Sequence, residues 1–479
     1  MKRILALLFG CMILLCGCSA APDADGDRPV GEPFRWEERT VVYDGISLAY
    51  TDEIWYQTDT FSLPAARLSM ALSDAAMVRG AHEPGADASL EQLLGALDFS
   101  DYESFGYTET PDTDTMAAGY AHRTVNGPDG TFTVLAVAAR CGSYGREWAG
   151  NFTVGEGVEH KGFRRAAELL YEHAADYCTR YGITGDCVIW TVGFSRAAAA
   201  SNLFAGRVAR EGGIGGLSAR LCAYSFETPA GTRDTACRSE TYRGIYSVIG
   251  EEDLVPKVAP AAFGYARYGT DYVLPPFSDD DVRQTVENTY AVLYPDAEPL
   301  SLSGSAAGAA DRFIAYVCER VVSPEQYTAR WQDGVRAFIT ALADGGYSTS
   351  ESAKLMRSLI SGLQDTVNSY RNGAITLKKA RALADIALKG GLREAGLAGH
   401  EDFLDDIFRL AFNADADAGH DILLKSLIFA LSYSPLSANE PKPDDLYSLA
   451  PAVLSLLTEA ETVMTAHMPR LCMARLMAI

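Results

Sequence analysis

The spacing of apolar and polar positions changes repeatedly along this chain, and each change predicts an element. Cys187-Val188-Ile189-Trp190-Thr191-Val192 runs without a charged residue, as in a strand buried on both faces. Gly193-Phe194-Ser195-Arg196-Ala197 follows, and the alanine-rich stretch after it favours helix. Upstream, Met116 to Val125 and Thr131 to Ala139 read as strands separated by Asn126-Gly127-Pro128-Asp129-Gly130, a turn cluster that predicts a hairpin. A helix is expected from about Gly162 to Tyr181, with Phe163, Ala167, Leu170, Ala174 and Tyr177 on one stripe. Pro64 opens a helical run to Met77, and Ser89-x-x-Gln92 reads as a capping box opening another. Downstream, Ala219 to Phe226 and Ile245 to Ile249 are short apolar runs, and about Asp279 to Thr465 reads almost wholly helical.

Strands alternating with helices at this spacing predict an α/β fold with a mostly parallel sheet covered on both faces. Within it, a strand, a tight turn bearing Ser195 and a helix form a nucleophile elbow. Gly193 and Ala197 leave room for strand and helix to pass closely. The helix start turns free N–H groups and its positive dipole end toward developing negative charge.

Charge and cysteines narrow the class. The 479 residues carry a formal charge of −22, which argues against a nucleic-acid partner. Lys2 and Arg3 precede an apolar run from Ile4 to Leu15, too short for a permanent span. That run ends in Leu15-Cys16-Gly17-Cys18, which resembles a bacterial lipobox. The resemblance implies cleavage before Cys18, lipidation of its thiol, and an extracytoplasmic, membrane-anchored lipoprotein. The expected organisation is a signal peptide (1–17), a flexible tether (18–33) and a core (34–278). A helical insertion or cap (279–398) and a closing part (399–479) complete it. Seven cysteines beyond Cys18 cannot all pair within one chain, and most read as small core residues. No metal-binding motif appears, and no cofactor is expected.

A serine nucleophile needs a base and an orienting acid, following in the order serine, acid, histidine in this kind of fold. Asp253, just past the strand Ile245 to Ile249, is the expected acid. The ordered set then resembles the lipase class 3 group of α/β-hydrolases, in a bacterial branch. It comprises Arg140-Cys141-Gly142-Ser143 with Glu147-Trp148 and Asn151-Phe152, then His160-Lys161-Gly162-Phe163. Gly193-Phe194-Ser195-Arg196-Ala197, Tyr224-Ser225-Phe226-Glu227-Thr228-Pro229 and Asp253-Leu254-Val255-Pro256 follow. These span about residues 60 to 270. The resemblance implies ester hydrolysis through serine, aspartate and histidine, with Ser195 as nucleophile and no metal or cofactor. It also implies an ester substrate of lipid type. Two departures stand out: Ala197 replaces the commoner glycine, and Cys141 interrupts the Arg-Gly-Ser/Thr pattern of the oxyanion hole. One oxyanion donor is then the N–H of Arg196 and the other that of Gly142 or Ser143, with Cys141 as a third choice.

Seven histidines are present and three follow Asp253: His400, His420 and His467. By analogy with the family, the base lies near the domain's end, ahead of a closing helix. His420 before Ile422 to Leu431 is favoured, with His400 as runner-up. His467, in a terminal amphipathic run, is expected at the surface, and His160 is expected to hydrogen-bond at a helix start. The long gap from Asp253 to His420 implies the large helical insertion, as a lid or as packing. Tyr144, Trp148 and Phe152 line an acyl groove or pack in the core. The reading is a surface-anchored serine esterase or lipase. Its rivals are an acyltransferase and a binding lipoprotein that keeps the fold without the chemistry.

Overall fold

The computed structural model describes residues 34–79, 82–112, 115–142, 145–316 and 459–479, with isolated positions between 318 and 456. Two compact units divide the chain at Met1–Trp36 and Glu37–Ile479. In the first, Phe34 and Trp36 make an edge-to-face pair with ring centroids 4.8 Å apart. Everything below belongs to the second.

That unit is an α/β fold. A hairpin of β1 (Glu38–Tyr43) and β2 (Ile46–Thr51) stands apart from the main sheet. The main sheet contains β3 (Ser100–Phe105), β4 (Ala118–Gly127), β5 (Gly130–Ala139), β6 (Cys187–Phe194) and β8 (Leu217–Phe226). It continues through β9 (Ile245–Ile249) and β10 (Thr270–Val273), while the two-residue β7 (Gly213–Ile214) pairs with β8. The spatial order is β10-β9-β8-β6-β5-β4-β3. β3, β4 and β5 are antiparallel, the neighbours β5-β6-β8-β9-β10 are parallel, and β7 is antiparallel to β8. The expected hairpin is β4–β5, with Gly127 opposite Gly130 across a turn of Pro128 and Asp129.

The helices follow from local chemistry. α1 (Leu63–Ala75) is capped by Ser62, whose hydroxyl accepts from the Ala65 N–H at 3.3 Å, and Pro64 lies in its first turn. α2 (Ala88–Ala96) starts one residue before the expected capping box, with Asp87 at the cap position and no side-chain cap bond. The Asp87 carboxylate instead accepts from the hydroxyls of Tyr102 (2.8 Å) and Ser104, so it serves β3 rather than the helix. α3 (Lys161–Arg180) buries all five residues of its expected stripe. α4 (Arg196–Glu211) ends on Gly212 at φ +70°, where glycine takes the left-handed conformation freely.

The core sits between α1 and the strands. Trp190 of β6 is fully buried, tilts against Trp55 and Phe99, and donates its indole N–H to the Ser69 hydroxyl of α1 at 2.9 Å. Cys187 and Cys222 are buried within β6 and β8 as expected, and the described cysteines are free thiols. Burial pushes both thiols up to about 12.

Beyond the sheet, α5 (Asp280–Leu293), α6 (Ala306–Tyr316), α7 (Ala460–Ala466) and α8 (Pro469–Ala478) are the fully described helices. Phe277, Val286 of α5, Leu302 and Leu471 of α8 form one apolar cluster. The beginning of the expected insertion therefore packs on the terminal helix. Among the described residues, no helix is long and apolar enough to cross a membrane.

Candidate active site

Parallel strands emerge with their carboxyl ends on one edge, so the loops after β5, β6, β8 and β9 lie along the same edge of the sheet. Ser195 stands at the end of β6 with φ +59° and ψ −126°, a conformation that turns the chain abruptly into α4. Its N–H donates to the Phe226 carbonyl at the end of β8, 2.9 Å away, which ties the turn to the next strand. Gly193 is required here: a Cβ would lie 2.6 Å from the backbone carbon and oxygen of Ala197. The fully buried Ala197 fits the turn, so the departure from glycine is accommodated.

Asp253 follows β9 and is fully buried. Its Oδ1 accepts from the Val255 N–H at 2.8 Å and its Oδ2 from His467 Nδ1 at 2.6 Å. The other ring nitrogen, Nε2, accepts from the Ser195 hydroxyl at 2.8 Å. A carboxylate offers only acceptors, so the bond to Asp253 fixes the proton on Nδ1 and leaves the Nε2 lone pair toward the serine. One unbroken relay thus joins Ser195, His467 and Asp253. Ser195 is 9 % exposed and the imidazole 26 %, whereas the acid is sealed off. The solvent-accessible side of the relay is therefore that of the serine and imidazole.

The expected surface position of His467 is corrected here: its part-buried imidazole stands between Ser195 and Asp253, in the place expected for His420. His420 and the runner-up His400 lie outside the described residues. The physical reason is a break in the helical run. Pro469 cannot continue a helix from α7 and forces Met468 to φ −101°, ψ 132°, so the chain turns between α7 and α8. His467 sits at that corner, its ring 5.2 Å from Phe194. The rule used for His420, an imidazole just ahead of the closing helix, selects His467 once Pro469 is read as a helix start.

The corner is fastened by a charged group that sequence reasoning missed. Arg475 of α8 is buried and pairs through Nη1 with the buried Glu252 carboxylate at 2.9 Å. Its Nη2 donates to the Pro275 carbonyl at 2.7 Å, and Phe277 covers the guanidinium at 4.3 Å. Glu252 also accepts from the Phe277 N–H at 2.7 Å. The residue before the acid therefore holds the helix that follows the imidazole.

Of the expected oxyanion donors, Arg196 opens α4, where first-turn N–H groups have no intrahelical acceptor. Gly142 follows β5, the strand beside β6, at φ +76°; a Cβ there would meet Met77 Cγ at 2.7 Å. Ser143 and Tyr144 lie outside the described residues, as do the side chains of Trp148 and Phe152. The Cys141 thiol is buried and donates to the Ser73 carbonyl at 3.1 Å; burial raises its pKa. The segment between β5 and α3 contains a 3₁₀ helix, Gly145–Phe152. Its Glu147 is fully buried between two guanidinium groups. It pairs with Arg140, lies 3.6 Å from Arg196 Nε, and offers its carbonyl to the same Nε at 3.2 Å. One carboxylate thus ties the strand before Gly142 to the residue after Ser195.

His160 caps α3, accepting at Nδ1 from the Phe163 N–H at 3.4 Å and donating from Nε2 to the Asn151 carbonyl at 2.9 Å. Desolvation lowers its pKa to about 3, so it is a neutral structural imidazole. Among the described residues, no group of histidine, cysteine and carboxylate side chains is arranged to hold a metal ion.

No family model matches the chain, and no curated protein matches it. Several solved structures are similar to it, two of them described as lipases. One is described as a triacylglycerol lipase whose catalytic centre is a serine protease triad: 19 % identity, TM-score 0.30, covering 50 % of this chain and 83 % of that one. The other is a fungal lipase–inhibitor complex: 18 % identity, TM-score 0.32, covering 44 % of this chain and 78 % of that one.

Proposed function

We propose that this protein is a serine ester hydrolase of the α/β-hydrolase type, acting on carboxylic esters of lipid character. The observation that carries the reading is the relay from Ser195 Oγ through His467 to Asp253, at 2.8 and 2.6 Å, on the carboxyl edge of a parallel sheet. Ser195 Oγ attacks the ester carbonyl carbon while His467 Nε2 takes its proton, and Asp253 stabilises the imidazolium. The N–H groups of Arg196 and Gly142 receive the oxyanion, each donor contributing about 3 kcal/mol of barrier lowering. Collapse of the tetrahedral intermediate expels the alcohol with the proton from His467. Water, deprotonated by the same imidazole, then cleaves the acyl-enzyme to the carboxylic acid and free serine.

The same reading assigns the chain to the cell envelope, anchored through a lipid on Cys18. Metabolic labelling with a fatty acid, abolished by Cys18→Ala, is the expected result for that assignment. For the chemistry, a fluorophosphonate probe should label wild type and leave Ser195→Ala unlabelled, and short-chain p-nitrophenyl esters should be hydrolysed only by wild type. Folded wild type that neither takes the probe nor hydrolyses esters would return the protein to a binding role.

A further inference from the structure

Behind the triad acid lies a second carboxyl group that the relay does not use. Glu227 follows β8, is fully buried, and holds φ +46°, where a residue with a side chain is strained. Its N–H donates to the Val248 carbonyl and its Oε2 accepts from the Gly250 N–H, both at 2.9 Å. Its Oε1 is sealed from water and receives no hydrogen bond from a protein donor. The carboxyl faces Asp253. A Cβ on Gly250 would lie 2.5 Å from Arg475 Nη1 and 3.3 Å from Glu227 Oε1, so the loop is shaped around these groups.

The charges do not balance if all of them ionise. Glu227, Glu252 and Asp253 are three buried carboxyls served by one buried guanidinium, Arg475, already paired with Glu252. His467 touches only Asp253, and the Cys472 thiol of α8 faces the same cluster in its neutral form. Arg267, the other cation near Glu227, spends its donors on the carbonyls of Thr228 and Pro256 and on Asp271. Two neighbouring carboxylates buried from solvent disfavour each other's charge, and one of them takes up a proton.

We infer that Glu227 is a positioning residue for the triad acid, holding a proton at neutral pH and donating it to the Asp253 carboxylate. Burial first, and then the charge of Asp253, push the Glu227 carboxyl well above the usual range, in keeping with this geometry. The donated bond spreads the charge of Asp253 and so moderates the basicity of His467. The inference rests on reading Ser195, His467 and Asp253 as a triad.

Glu227→Gln keeps a neutral donor, and Glu227→Met keeps the size without one. The expected result is a loss of about tenfold in kcat for Glu227→Met with KM unmoved, the scale of one hydrogen bond to a charged group. The acid limb of its kcat/KM profile should move to higher pH, because an undamped Asp253 makes the imidazole more basic. Glu227→Gln should rescue kcat to within about threefold and leave the limb in place. An ionised Glu227 would give the opposite: both variants would move the limb to lower pH. Infrared spectroscopy reads the proton directly, as a protonated-carboxyl C=O band at neutral pH in wild type that Glu227→Gln lacks. Absence of that band overturns the inference even if Glu227→Met does not fold. If wild type hydrolyses no ester, the enzymatic reading fails while the band still decides the state of Glu227.

Discussion

Ser195 and Asp253 are held by the sheet, and His467 is held by a corner between two short helices. The first pair stand at the ends of β6 and β9, with β8 between them. The Ser195 N–H is anchored to the next strand, and every residue of β6 is buried. The imidazole instead depends on α7 and α8, a small apolar cluster around Leu471, and the Arg475–Glu252 pair. The contrast teaches where the site is preorganised by the whole fold and where it rests on a local fastening. An opening of α8 alone would carry off the imidazole and leave the Ser195 hydroxyl and the Asp253 carboxylate in position.

The strongest way to break this comparison is to move the imidazole. His467→Asn should lower kcat/KM for ester hydrolysis by about 10⁴-fold or more, the scale at which triad histidines act, while the protein stays folded. His420→Asn should keep wild-type rates; the reverse pattern would assign the base elsewhere. Next in size is the fastening. Arg475→Met leaves the Glu252 carboxylate buried with only the Phe277 N–H, and losing one partner of a buried pair costs about 3–5 kcal/mol. The expected signature is local: amide exchange in α8 accelerates far more than in β6, and activity falls with it. Equal acceleration in both would mean that the corner is no weaker than the sheet.

The same contrast explains what could be read in the sequence. The β6–α4 elbow, the hairpin β4–β5 and Asp253 after β9 were legible because each is a local pattern: an apolar run, a turn signal, an acid past a strand. Gly193 and Ala197 were legible because a turn that tight leaves no room for larger residues. His467 was not, since the helical period was followed through a terminal run in which Pro469 marks a break. Arg475, Glu252 and Glu227 meet only in the folded chain, and no local spacing announces a guanidinium that pairs with a carboxylate more than two hundred residues away. The β1–β2 hairpin was missed for a plainer reason: its two strands are short, and β1 opens on the charged Glu38 and Arg39 with an irregular pattern of burial.

A buried imidazole on the sheet side sharpens the comparison further. His160, on the sheet side, is held neutral with a pKa lowered to about 3, against about 6.5 unfolded. Between those values the unfolded chain binds the extra proton, so the stability of the fold falls as pH falls through this window. From pH 6.5 to 4.5 this one group should remove about 2–3 kcal/mol, at about 1.4 kcal/mol per unit. His160→Asn keeps a side-chain cap and removes the titration. Urea unfolding across that range should therefore show a shallower pH dependence in the variant. Equal slopes would mean that His160 does not stay neutral when folded.

The smallest expected effect tests whether the sheet side is as uniform as the comparison requires. Ser69→Ala removes the acceptor of the Trp190 indole N–H, which is wholly buried in the strand leading to the elbow. An orphaned buried donor costs about 1–3 kcal/mol, and a methyl in place of a hydroxyl recovers part of that through packing. A loss of about 1 kcal/mol is therefore expected, read as a lower urea midpoint with an unchanged m-value. The loss should be global, because β6 lies at the centre of the sheet between β5 and β8 and opens only when the fold opens. Exchange in α8 should stay as it was, since its local opening precedes global unfolding. Faster exchange in α8 would show that the corner is coupled to the strand core, and the two supports of the site would then be one.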